Sequence, residues 1–159
     1  MTWRRVVLAV VLTVAVSIGG LWLWGKPRSS HVMPTAQTSP VDVVMTYVRA
    51  LNDRDFAASV RMGADSRGDI SADWFTVHAP NMTNVTIDHV DAVMPGPRAA
   101  TYLSNSELAG WEQTVHVDTT VTLNNFEGFH GPETDQPWSY ELVRHNNSKP
   151  WRIFDQGEG

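Results

Sequence analysis

The chain has 159 residues, no cysteine and a formal charge of −5. The missing thiols exclude disulfides, thiolate nucleophiles, cysteine-ligated metal sites and the lipid-bearing cysteine of a bacterial lipoprotein. The 42% apolar content excludes global disorder. From Pro40 onward 8 basic residues stand against 17 acidic ones, a net of −9 that disfavours nucleic acid and anionic headgroups as partners of the domain.

The first element is apolar. Val6 to Trp24 is 19 residues long and carries no charge. As a helix it covers roughly 28 Å, close to the hydrocarbon thickness of a bilayer. Trp3 at one end and Trp22 and Trp24 at the other suit the headgroup level, where indoles partition. Arg4 and Arg5 with Ala15-Val16-Ser17 would also fit a cleaved signal peptide. The apolar run continues past that point to Trp24 and is stopped by Lys26 and Arg28, which favours an uncleaved anchor. The expected organisation is a cytoplasmic tail (1–5), a transmembrane helix (6–24), a linker (25–39) and an extracytoplasmic domain (40–159). Basic residues flank both ends of the span, so charge biases this orientation only slightly. A short tail before a long soluble domain is the usual form of a signal anchor. The linker, with its prolines, Ser and Thr, reads as an extended tether.

Ser39-Pro40 opens the first helix of the domain, since serine caps free amides and proline suits the first helical position. Val41, Val44, Met45, Val48 and Leu51 form one apolar stripe. Asp53 is the expected cap of a second short helix carrying Phe56 and Val60 and ended by Gly63. Ser71 starts an expected third turn holding Trp74 and Phe75. After Pro80 the texture becomes β-branched. Val85 to Met94 reads as a strand, and Pro95-Gly96-Pro97 as a turn into a second strand over Arg98 to Leu103. Trp111 to Leu123 alternates apolar odd positions with polar even ones, the pattern of a half-buried antiparallel strand. Trp138, Tyr140 and Leu142 alternate likewise. Asn146-Asn147 turns the chain into a closing strand with Trp151, Ile153 and Phe154. The expected fold class is α+β: a transmembrane helix, then two to three helices packed on a curved antiparallel sheet of about five strands.

PVDVVMTYVRALNDRDFAASV is an amphipathic helix meeting an Asn-Asp-x-Asp turn into a second helix. WSYELVRHNNSKPWRIFDQGEG closes the chain with a tryptophan-bearing strand pair. With the element order, these segments resemble the nuclear transport factor two-like superfamily, the cone-shaped α+β fold that includes ketosteroid isomerase, over roughly Ser39 to Gly159. No early strand pair between the second and third helices is visible, which departs from the pattern. The tail, span, linker and domain also resemble single-pass bacterial envelope proteins, among them accessory proteins of lipid transport and an assembly component of type IV secretion machines. The resemblance implies a membrane-anchored interaction or accessory domain of an envelope complex, without enzymatic activity, whose partners are the bilayer, through residues 6–24, and a protein. Two alternatives follow from the same fold. One is a binder of a small apolar ligand in the cone, with Trp74, His78, Tyr102, Trp111 and Tyr140 as pocket residues. The other is an isomerase- or cyclase-like enzyme, with Asp65 or Asp91 as base and Tyr102, Tyr140 or His78 as donor.

No motif implies a cofactor, and no histidine pair has ligand spacing on a helix. His116 and Asp118 share a strand face and could begin a metal site, but spacing fixes no third ligand, so outward strand polarity is the expected role. The bland role of Trp74, Trp111, Trp138 and Trp151 is core packing.

Overall fold

The computed structural model describes residues 3–64, 82–124 and 131–157. Helix α1, Trp3–Trp24, buries none of its side chains in the rest of the protein and is long and apolar enough to cross a membrane. Helix α2, Pro40–Asn52, starts as its sequence dictates. The Ser39 side chain accepts from the Asp42 amide at 3.1 Å, and Pro40 holds the first helical position. Helix α3, Phe56–Met62, follows after a tight turn and ends at Gly63. Its cap is Asp55, which accepts from the Ala58 amide at 3.1 Å, and not Asp53 as expected. The chain turns through Arg54, whose left-handed φ of 59° leaves Asp55 as the residue that meets the free amides.

Four strands follow: β1 (Met82–Val90), β2 (Gln113–Leu123), β3 (Glu133–Arg144) and β4 (Arg152–Gly157). They form an open antiparallel sheet in the order β1-β2-β3-β4. The fifth strand expected over Arg98 to Leu103 is instead a helix, α4 (Gly96–Tyr102). Pro97 lies in its first turn, where its missing amide costs nothing, and Ala99-Ala100 favours helix. A 3-10 turn, Ser106–Gly110, comes next, so β2 begins at Gln113 and Trp111 lies outside it. The expected turn at Trp74 and Phe75 lies outside the described residues.

The sheet is covered on both faces. On one, Val43, Val44, Tyr47, Val48 and Leu51 of α2 meet Val115, Val117 and Val121 of β2, Tyr140 and Leu142 of β3, and Ile153 of β4. Tyr47 and Tyr140 are fully buried and pack edge to face, with ring centroids 6.3 Å apart. On the other face α4 and the 3-10 turn pack Ala99 and Leu108 against Val143 and Phe154, with Met94 and Trp111 at the margin. Successive residues of β3 therefore serve two cores, because strand side chains alternate between faces. Gly96 permits the approach of α4: a Cβ there would lie 2.1 Å from the Trp111 carbonyl oxygen and 2.3 Å from that of Leu108. Pro137 is tolerated in β3 because β4 pairs only from Ser139 onward, leaving that stretch with a free side.

The linker does not hang free. The Arg28 amide donates to the Asp53 carbonyl at 2.7 Å, and the His31 amide to Asp55 Oδ2 at 3.2 Å. The Ser29 hydroxyl donates to Asp53 Oδ2, which also lies 3.1 Å from His31 Nε2. Met33 packs against the main core. The Asp-Arg-Asp turn between α2 and α3 thus holds the segment that leaves α1.

Candidate functional site

The sheet face that carries α4 is only partly covered, and its remainder forms a groove of about 240 Å³ between the 3-10 turn and strands β2 to β4. Leu103, Leu108 and Phe154 give it an apolar side; His116, Glu141 and Asp155 give it a charged one. The charged side follows from register. His116 lies opposite Glu141, and Glu141 opposite Asp155, so the three form a row across β2, β3 and β4 on one face. Asp91 extends the row beyond β1, its amide donating to the His116 carbonyl at 2.9 Å.

His116 sits between two carboxylates. Its Nδ1 lies 3.1 Å from Glu141 Oε2 and its Nε2 3.0 Å from Asp118 Oδ1. Only a doubly protonated ring donates to both at once. Burial pulls the His116 pKa down, but its hydrogen bond to Glu141 and the charge and hydrogen-bond acceptance of Asp118 outweigh it and hold the pKa above 6.5. Glu141 is 8% exposed. Burial pushes its pKa up, contact with His116 pulls it down, and the charges of Asp91 and Asp155 push it up again, so it ends above 4.5. Gln156 lines the groove but pairs with Tyr140 in the register, so its side chain belongs to the face of the main core.

This arrangement stores charge. With both ring nitrogens committed, the imidazole has no lone pair to take a proton from a substrate, and the groove offers carboxylate oxygens to an incoming donor. Among the described residues no group of three or more His, Asp or Glu has a geometry that could hold a metal ion.

The residues expected to line a cone pocket fall apart. Trp74, His78 and Asp65 lie outside the described residues. Tyr102 is 76% exposed at the end of α4. Trp111 stacks on His145, with ring centroids 4.2 Å apart, beside a separate groove of about 180 Å³. Tyr140 lies in the main core, its hydroxyl donating to Met82 Sδ at 3.3 Å. The structure does not bring Tyr102, Trp111 and Tyr140 together. Asp91 pairs with His89 at 3.1 Å. Of the groove's charged residues, sequence reading singled out His116 and its neighbour Asp118 but missed Glu141 and Asp155. The available cue was a glutamate in an apolar strand, Tyr140-Glu141-Leu142-Val143.

Comparison of the chain with protein families, curated proteins and solved structures gives no match.

Proposed function

We propose that this chain is a membrane-anchored interaction domain outside the cytoplasm that takes a cationic side chain of a protein partner into the groove beside His116. The carrying observation is the row Asp91, His116, Glu141 and Asp155, which sets three carboxylates and one imidazolium side by side on a partly open face. A lysine or arginine entering there would offset the burial and the Asp91 and Asp155 charges that raise the Glu141 pKa.

The membrane reading rests on the length and apolar character of α1. Two helices ahead of an antiparallel meander support the nuclear transport factor two-like assignment, with α4 inserted between β1 and β2. Such a domain would act as an accessory subunit of an envelope complex, without catalysis of its own.

Co-purification from membranes after mild crosslinking tests the reading. A partner should be recovered with the native chain and lost with Glu141→Gln combined with Asp155→Asn. A chain recovered alone, or a partner retained by the double variant, would refute it. Alkaline phosphatase fused after Gly159 should be active; activity only of a cytoplasmic reporter would reverse the orientation.

A further inference from the structure

The exit of α1 gathers positive charge. Arg54 is 2% exposed. Its guanidinium stacks 3.5 Å from the Trp24 ring centroid, and its Nη1 donates to the Trp24 carbonyl at 2.8 Å. Its Nε and Nη2 are buried with no acceptor. The adjacent carboxylates are committed elsewhere, Asp53 to Ser29 and His31, Asp55 to the Ala58 and His31 amides. The Arg28 amide donates to the carbonyl of Asp53, the residue before Arg54, at 2.7 Å, and burial and then the Arg28 charge lower the Arg54 pKa. Lys26 sits 3.5 Å from the Trp22 ring centroid. Among the described residues, none of these three cations forms an ion pair with a carboxylate.

Buried guanidinium N–H groups nearly always have partners, and leaving one unmade costs about 1–3 kcal/mol. An anionic acceptor would balance two neighbouring guanidiniums, at the level of Trp22 and Trp24, where indoles meet headgroups. We propose that Arg54 and Arg28 form a binding site for the phosphate of an anionic membrane phospholipid. A phosphate offers two oxygens to the guanidinium fork of Arg54, with Arg28 adding charge. The ring that roofs Arg54 is itself 51% exposed, so a rotation of the Trp24 indole opens the fork to the bilayer surface. The bound lipid would hold the α2–α3 turn, and with it the domain, against the membrane. This inference depends on α1 being the membrane span but not on the groove.

The test uses the full chain in detergent, titrated with short-chain phosphatidylglycerol, short-chain phosphatidylcholine or inorganic phosphate, with bound lipid counted by native mass spectrometry. Phosphatidylglycerol should bind to the native chain and at least about ten-fold more weakly to Arg54→Gln. Arg54→Lys should fall between them, and Arg49→Gln, on the exposed side of α2, should match the native chain. If melting shows Arg54→Gln to be unfolded, Arg28→Gln carries the test, with an expected loss of several-fold. Equal binding by native chain and variant, equal affinity for phosphatidylcholine, or displacement by inorganic phosphate at matching concentration would each overturn the proposal. Carbonate-resistant sedimentation of the chain with membranes tests the span separately.

Discussion

Replacing His116 with leucine keeps most of the side-chain volume and removes the cation between Glu141 and Asp118. The bond to Glu141 is charge-assisted and part-buried, a class whose net contribution is about 1.5–3 kcal/mol. The bond to Asp118 ends on a half-exposed carboxylate, and such contacts contribute roughly 0–1 kcal/mol. In the variant Glu141 is left beside Asp91 and Asp155 with nothing to offset them. The expected loss is therefore about 2–3 kcal/mol near pH 6, below the raised pKa of the native imidazole. Near pH 4 the loss should shrink to about 1 kcal/mol or less, because Glu141 can then take up a proton. The native chain has its own pH signature. His116 and Glu141 both bind their proton more tightly folded than unfolded. The stability they contribute is complete below their ordinary values of 6.5 and 4.5 and falls as pH rises through the raised folded values. Denaturation of the full chain in detergent, followed by tryptophan fluorescence, measures both effects. A loss equal at the two pH values, or no loss near pH 6, would refute the assignment of an imidazolium held by Glu141.

Gly96→Ala should destabilise by at least about 2 kcal/mol, since the added methyl meets two backbone carbonyls that cannot swing away; a melt unchanged from native would remove the close approach of α4. Tyr140→Ala should cost about 3–5 kcal/mol by emptying a fully buried ring site against Tyr47, measured by the same denaturation. Asp53→Ala should release residues 25–39 from the α2–α3 turn, and limited proteolysis should then cut that segment several-fold faster; an unchanged cleavage rate would show that the contacts of Ser29 and His31 do not hold it.

Much of the fold is written in local pattern. The alternation of β2 buries the face that periodicity assigns, and the α2 stripe holds at Val44, Val48 and Leu51, but the buried face is turned toward Val43 and Tyr47 while Val41 and Met45 are only half-buried. Arg98 to Leu103 shows where pattern misleads. A Pro-Gly-Pro triplet suits both a hairpin turn and a helix start, and a short run of Ala, Thr and Tyr does not choose between them. The choice is tertiary: Gly96 lets α4 settle onto the Trp111 and Leu108 carbonyls. The groove was half visible for a similar reason. His116 and Asp118 are two apart on one strand, so their shared face follows from the pleat alone. Glu141 and Asp155 join them only through cross-strand register, which depends on turn lengths and on a shift between Glu141 and Leu142 in the β3–β4 pairing. The Arg54 contact with Trp24 spans 30 residues and leaves no periodic trace.

The central claim is that the acidic groove receives a partner's cationic group. A photoreactive amino acid in place of Leu103, which lines the groove and is 42% exposed, tests it in native membranes. The account predicts one discrete crosslinked protein species that disappears when Glu141 and Asp155 are neutralised together. No crosslinked species, or one that survives that neutralisation, would contradict it.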